Sequence, residues 1–332
     1  MTAFGAAPSR QPYGVPSALD PPGKGMMTPG ARGGPLLAAT GVGSVLAPPA
    51  AAPAAAAPPP AAAKRVPTHG YAAEQNGRFR SYMEDDHLVA EAFCGREDCL
   101  FAAVYDGHGG RLAVDFAVAH LHSALAAELR ASRNGDPLGC LSRAFMRTDR
   151  MLVQAGAYHC GSTAGVVLFE RDVHGRPVLH AANVGDTRVV LYGGEGRDPL
   201  CLSVDHLPGT NAAEVERIQR AGGRVMNNRV GGSLAVSRAL GDHALKGEGG
   251  GVTAEPHTAS RVLSGDDRFV LLASDGVWDV VTLQQAHEIV LQGCDVEGLP
   301  MADVAGRVVQ AALKGGSRDN ISCLLLDVRG IA

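Results

Sequence analysis

The sequence predicts an α+β domain of layered sheets and helices that follows a long unstructured segment. Three observations support this prediction: short β-rich apolar runs, longer stretches with helical periodicity, and a change of composition near residue 66. Strands and helices come in clusters along the chain and do not alternate strictly. This pattern favours an α+β arrangement over a doubly wound parallel sheet.

The beginning of the chain differs in composition from the rest. Residues 1–73 hold 14 of the 20 prolines, and bulky apolar side chains are scarce there. Such a stretch buries too little surface to offset the entropy of ordering. We therefore predict a disordered Ala/Pro/Gly-rich tail over residues 1–66 and a folded domain over residues 67–332. An organelle transit peptide is the alternative for the tail, although its prolines and glycines disfavour the amphipathic helix of such peptides.

Charge and cysteine content limit the class of protein. The net charge of −4 divides into +4 for the tail and −8 for the remainder, without the clustered basic residues of a nucleic-acid binder. No apolar run approaches the roughly 18 residues of a membrane helix. The 7 cysteines include no Cys-x-x-Cys pair, which favours a reducing compartment. We expect a cytoplasmic or nuclear protein that binds neither nucleic acid nor membrane.

Apolar runs and helical periodicity predict the elements of the folded domain. The predicted strands lie at 100–105, 163–169, 178–184, 187–192, 268–273 and 321–328. Two helices with one apolar stripe each are predicted at 111–130 and 137–155. Residues typical of helix ends predict three more helices. These residues are Asn211 with Glu214 and Gly222, Thr282 with Gln285, and Met301 with Gly315 and Gly316.

Four aspartates lie at the ends of predicted strands. Asp106, Asp186 and Asp275 follow strands, and Asp319 precedes one. Because neighbouring strands of an antiparallel sheet run in opposite directions, the ends of three strands and the start of a fourth can lie at the same end of the sheet. Carboxylates crowded there would raise one another's pKa unless cations neutralised them, and oxygen-only ligands select hard ions such as Mg²⁺ or Mn²⁺. Aspartate is also a common turn residue, so the prediction depends on the four together.

Two nearby segments carry groups suited to phosphate chemistry. His108 lies two residues after Asp106, among glycines that let the backbone approach a ligand, and a histidine there can act as a general acid. Arg80 precedes an acidic run that includes Glu84 and Asp85, and a guanidinium can bind a phosphate bidentately. An arginine followed by acids is by itself more typical of a solvated turn. No phosphate-binding P-loop, zinc-binding H-E-x-x-H or G-x-S-x-G elbow is found in the sequence.

Seven blocks in the folded domain resemble the metal-dependent serine/threonine protein phosphatases of type 2C. They are RSYMEDDH (80–87), VYDGHGG (104–110), GSTAG (161–165), NVGDTR (183–188), RVGGSLAVSRALGD (229–242), LASDGVWDVV (272–281) and GSRDN (316–320). Each block alone is a weak signal, but their shared order is highly specific. The resemblance implies a four-layer α-β-β-α sandwich of two antiparallel sheets flanked by helix pairs.

The resemblance also implies the chemistry. The reaction would be Mg²⁺- or Mn²⁺-dependent hydrolysis of phosphoserine and phosphothreonine in proteins by a two-metal-activated water, on a catalytic domain that is usually monomeric. The implied metal ligands are Asp106, the Gly107 carbonyl, Asp275, Asp319, Glu84 and Asp85, with Asp186 and Asp279 at positions associated with a weaker third metal. The implied catalytic residues are Asp106, His108 as general acid and Arg80 as phosphate clamp.

Two other functions share part of this pattern. A catalytically inactive binding protein with the same fold would typically lack some of the metal carboxylates, and none is missing here. A two-metal phosphodiesterase or nuclease would use similar ligands, but the acidic body of this chain would repel a polyanionic substrate. The sequence therefore favours the protein phosphatase.

Overall fold

The computed structural model describes residues 66–132 and 135–331. The predicted tail therefore lies outside the described residues, apart from residue 66. The strands are β1 Thr68–Glu74, β2 Asp86–Glu91, β3 Leu100–His108, β4 Gly161–Arg171, β5 Pro177–Val184, β6 Arg188–Gly193, β7 Leu200–Cys201, β8 Val225–Met226, β9 Arg229–Val230, β10 Leu240–Gly241, β11 His257–Val262, β12 Asp267–Ala273 and β13 Ile321–Asp327. The helices are α1 Leu112–Ala131, α2 Pro137–Ala155, α3 Ala212–Arg220, α4 Asp275–Trp278, α5 Leu283–Leu291 and α6 Met301–Lys314.

Two antiparallel sheets form the centre of the domain. The first sheet has the strand order β1-β13-β12-β6-β7, and the second has the order β11-β5-β4-β3-β2 with β10 beside β4. Side chains alternate between the two faces of each strand, so every strand can contribute to two layers. Val104 of the second sheet and Leu324 of the first belong to one buried cluster between the sheets.

The outer face of each sheet is covered by helices. Tyr105 packs with Leu121 of α1 and Leu141 of α2 in one buried cluster. On the other side, Leu325 packs with Val308 of α6 in a second cluster that includes α5. The layers therefore run helix, sheet, sheet, helix. The α+β fold with antiparallel sheets that we predicted is confirmed.

Helix α1 is long and apolar enough to meet the criteria for a membrane-spanning helix, with a mean hydropathy of 1.3 over its best window. Its apolar side faces the sheet, where Val114, Ala117, Leu121 and Leu125 are buried. This packing accounts for the apolar residues on the side of the helix that faces the sheet.

The elements agree closely with those predicted from periodicity and helix ends. Asn211 accepts a hydrogen bond from the Glu214 N–H at the start of α3, and Thr282 and Gln285 form a reciprocal capping box at α5. The strands β1, β2 and β11 and the two-residue strands β7 to β10 are not among the predicted ones. Most residues of β1, β2 and β11 are partly exposed, so these strands lack the continuous apolar run that identifies a buried strand.

Candidate active site

Three of the predicted carboxylates meet at one end of the sandwich. Asp106 lies near the end of β3, Asp186 follows β5, and Asp275 begins α4, separated from the end of β12 by one residue. One carboxylate oxygen from each lies within 4.8 Å of the others. Two of these residues come from one sheet and one from the other, so the cluster forms where the two sheets end together.

The cluster is electrostatically strained in the absence of cations. Burial raises the pKa of Asp106 well above its ordinary value, and the charges of Asp85 and Asp275 raise it further. Burial also raises the pKa of Asp275, and the charges of Asp186 and Asp279 add to this effect. A group of partly buried oxygen ligands whose charges oppose one another fits a site for hard divalent ions.

Asp85 lies in the loop between β1 and β2, next to Asp106 of the carboxylate cluster. Burial raises the pKa of Asp85 to about 7, with a smaller contribution from the charge of Asp319 and an opposing hydrogen bond from Ser274. Ser274 Oγ donates to the Asp85 carboxylate at 2.9 Å and accepts from the N–H of Ser322 at 3.0 Å. Ser274, which follows β12, and Ser322 of β13 therefore fix the position of the Asp85 carboxylate from the first sheet.

Glu84 is held by two separate segments. Its carboxylate accepts a hydrogen bond from the Gly110 N–H at 2.6 Å, and its own N–H donates to Asn320 Oδ1 at 2.8 Å. A Cβ at Gly107 would lie 2.6 Å from the Glu84 carbonyl oxygen and 2.5 Å from Val114 Cγ2. Only a glycine at position 107 permits this close approach.

Asp86, the third acid of the run Glu84-Asp85-Asp86, does not join the carboxylate cluster. Asp86 Oδ2 forms an ion pair with Arg111 Nη2 at 2.5 Å, and this arginine also binds Asp115 on α1. Asp86 therefore anchors the start of β2 to helix α1. Asp279 lies at the end of α4, where its charge acts on Asp275.

Arg80 and Asp319 form a pair next to the carboxylate cluster, where the charge of Asp319 contributes to the raised pKa of Asp106. Arg80 Nη2 forms an ion pair with Asp319 Oδ2, and the two side chains are 41% and 32% exposed. The other oxygen of Asp319 accepts a hydrogen bond from the Asn320 N–H at 2.8 Å. The structure thus places a partly exposed guanidinium at the edge of an anionic pocket, where it can contact a bound phosphate.

His108 has a partner that the sequence analysis missed. His108 Nε2 lies 2.7 Å from Oδ2 of Asp242, which is 5% exposed and directly follows β10. Burial lowers the pKa of His108, but the hydrogen bond and charge of Asp242, together with other acids, outweigh this effect and raise it. Asp242 follows a strand of only two residues, so it lacks the long apolar run that marks the other strand-end aspartates.

The local backbone holds this histidine–aspartate pair in place. Asp242 has a left-handed φ of 51°, and its N–H donates to the Cys160 carbonyl at 2.9 Å. A Cβ on Gly161 would collide with the Asp242 carboxylate and would lie 2.7 Å from His108 Nε2. The undisturbed pair therefore requires glycine as the first residue of β4.

Comparisons with known proteins agree with this geometry. The sequence model of the protein phosphatase 2C family matches residues 69–321. Protein phosphatase 2C homolog 1 of Schizosaccharomyces pombe is 37% identical over 262 residues, which cover 78% of this chain and 72% of the relative. The Saccharomyces cerevisiae protein of the same name is 32% identical, covering 77% and 92%. The solved serine-threonine phosphatase 2C from Toxoplasma gondii has the same fold, with a TM-score of 0.65 and 22% identity over 79% of this chain and 94% of that one.

Proposed function

Since this chain belongs to the protein phosphatase 2C family and is a metal-dependent serine/threonine protein phosphatase, we propose that it hydrolyses phosphoproteins with two divalent ions, Mg²⁺ or Mn²⁺. The proposed ligands of these ions are Asp106, the Gly107 carbonyl, Asp275, Asp319, Glu84 and Asp85, with Asp186 and Asp279 near a weaker third ion. Their all-oxygen chemistry and the raised pKa values of Asp85, Asp106 and Asp275 support this assignment.

Bound ions of this kind supply an activated water and neutralise negative charge on the phosphoryl group. The side chains of the protein provide the remaining functions. Arg80 would bind a phosphoryl oxygen, because its guanidinium is partly exposed at the mouth of the carboxylate pocket. Its ion pair with Asp319 keeps the guanidinium next to the metal ligands.

His108 would protonate the departing serine or threonine oxygen. Its Nε2 is engaged by Asp242 at 2.7 Å, so the proton to be transferred is the one on Nδ1. The negative charge of Asp242 favours the protonated ring, which is the form that a general acid requires. Asp242 thus acts through His108 as a positioning residue.

The observation that carries this proposal is the convergence of Asp106, Asp186 and Asp275 within 4.8 Å. The charge of Asp186 also acts on His108, and the charge of Asp319, the partner of Arg80, acts on Asp106. The test is phosphate release from a phosphothreonine peptide by the full chain. We expect turnover with Mn²⁺, none with excess chelator, and none for Asp106→Asn.

Asp86→Asn is the matched control for this test. It removes a carboxylate next to Asp85 that pairs with Arg111 outside the cluster, so turnover should persist. Hydrolysis that survives chelation would refute the metal assignment. Metal binding without any hydrolysis would instead favour the catalytically inactive binding protein.

A further inference from the structure

An exposed aromatic ring flanked by two arginines lies on the surface next to Arg80. The guanidinium carbons of Arg78 and Arg318 each lie 5.2 Å from the centroid of the Phe79 ring. All three side chains are exposed, and Phe79 retains 42% of its accessible surface. We call these three residues the basic platform.

The basic platform adjoins the mouth of the active site. Arg78 is two residues before Arg80, and Arg318 is directly before Asp319. Asn76 joins the two segments, because its Nδ2 donates to the carbonyls of Ser317 at 2.8 Å and Asp319 at 3.2 Å. A peptide whose phosphorylated residue reaches Arg80 would therefore pass next to the platform.

The two cations are available to a partner. Neither Arg78 nor Arg318 takes part in an ion pair with another of the residues that the structure describes. Many arginines elsewhere on the domain are paired, for example Arg188 with Asp205 at 2.6 Å and Arg238 with Glu214 at 2.6 Å. An unpaired basic platform on a domain whose sequence carries a net negative charge is suited to an anionic group on the substrate.

The ring arranges the two cations before a substrate arrives. A guanidinium stacked within about 6 Å of an aromatic centroid is held by a cation–π interaction and binds carboxylates in a bidentate geometry. Because both guanidinium carbons lie 5.2 Å from the same point, they are separated by no more than twice that distance. This is comparable to the Debye length of roughly 8 Å at physiological salt, so both cations can act on one acidic segment.

We propose that the basic platform binds acidic side chains that flank the phosphorylated residue, so that the enzyme prefers phosphoproteins with acidic sequences around the target. This inference rests on the proposed function, since it names the substrate class of the same active site. Phe79 would provide the apolar contact between the two cations.

Binding and turnover by the full chain test the inference separately. Three phosphothreonine peptides would differ only in their flanking residues, which are Asp, Ala or Lys. Fluorescence anisotropy with non-hydrolysable phosphonate versions of the three peptides, in the presence of Mn²⁺, gives the Kd of each without turnover, and phosphate release from the phosphothreonine peptides with Mn²⁺ gives kcat/KM. We expect the Asp peptide to bind about 1.5-fold to 5-fold more tightly than the Ala peptide for each cation that it engages.

Charge-reversal variants assign the preference to the platform. Arg78→Glu and Arg318→Glu should abolish or reverse the preference for the Asp peptide and leave the turnover of a small aryl phosphate within twofold of wild type. Arg130→Glu is the matched control, because Arg130 is exposed near the C-terminal end of α1. It lies about 27 Å along the helix from Leu112, which begins α1 four residues after His108. This variant should keep the preference.

The outcomes separate this inference from the proposed function. Loss of all metal-dependent hydrolysis would refute the proposed function, while the anisotropy measurement would still test the platform. A wild-type protein without preference for the Asp peptide, or a preference that survives both charge reversals, would overturn the inference. The inference would also be overturned if the two charge-reversal variants lost binding to a single-stranded oligonucleotide but bound the peptides as tightly as the wild-type protein does.

Discussion

Removal of the Asp242 carboxylate should slow catalysis through His108 with little effect on substrate binding. The bond between Asp242 Oδ2 and His108 Nε2 is 2.7 Å long, and Asp242 is 5% exposed. Hydrogen bonds to charged groups contribute about 1.5–3 kcal/mol, which corresponds to roughly a 10-fold to 150-fold change in rate. We therefore expect Asp242→Ala to lower kcat for a phosphothreonine peptide by a factor in this range, with KM within about twofold of wild type.

Asp242→Asn separates the hydrogen bond from the charge. The amide oxygen can still accept from Nε2–H, and asparagine tolerates the left-handed backbone at this position. A neutral hydrogen bond contributes about 0.5–1.5 kcal/mol, so about 1–1.5 kcal/mol of the charged bond's contribution is still lost, and this variant should fall to roughly one fifth to one tenth of the wild-type kcat.

The leaving group provides the decisive assay. A serine or threonine oxygen requires a proton as it departs, whereas p-nitrophenolate leaves readily without one. Both Asp242 variants should therefore lose much more activity on the phosphothreonine peptide than on p-nitrophenyl phosphate. Glu170→Gln, which alters a carboxylate 3.4 Å from His180 at the other end of β4, should leave both activities unchanged.

The refuting result is specific to this mechanism. An equal loss on both substrates would indicate a general structural defect or impaired metal binding, and a wild-type kcat for Asp242→Ala would exclude a positioning role. Thermal unfolding of each variant at the assay pH shows whether the folded population is intact.

Three further predictions concern the metal centre, the space around His108 and acid stability. Adding Mn²⁺ at about 100 times its Kd should stabilise the wild-type protein by about 2.7 kcal/mol, and Asp106→Asn should lose most of this shift in a thermal melt. Gly161→Ala should reduce kcat on the phosphothreonine peptide at least as much as Asp242→Asn, because its Cβ collides with the Asp242 carboxylate; steady-state kinetics would expose an unaffected kcat. Burial raises the pKa of Glu214, but hydrogen bonds from Arg238 and Arg217 outweigh it and lower the value from 4.5 to about 2. The charge of Glu214 should therefore contribute about 3 kcal/mol to the free energy of unfolding above pH 4.5, and this contribution should disappear as the pH falls towards 2. In denaturant titrations, the difference in free energy of unfolding between wild type and Glu214→Gln should narrow over this pH range. A difference that stays constant would contradict the assignment.

The parts of the fold that bury the most apolar surface were predictable from the sequence. Strands β12 and β13 consist almost entirely of buried residues, so their sequences are continuous apolar runs. Strand β1 has only one fully buried residue, and its register is set by pairing with β13, which is more than 240 residues away. Local sequence does not encode such a partner.

The candidate site was predictable to the extent that strand ends carry aspartates. The signal identified Asp106, Asp186 and Asp275 because each follows a long apolar run. It missed Asp242, because β10 has only two residues and its contact with His108 spans 134 positions. The acidic run near β2 also did not reveal that Asp86 turns away to pair with Arg111.

The central claim is that the clustered carboxylates hold divalent ions. The most direct test is the stoichiometry of Mn²⁺ binding to the full chain, measured from the electron paramagnetic resonance signal of free Mn²⁺. We predict at least two ions per chain and the loss of tight binding in Asp106→Asn and Asp275→Asn, with no change in Asp86→Asn. A wild-type chain that binds no Mn²⁺, or an Asp106→Asn variant with unchanged stoichiometry and affinity, would contradict the central claim.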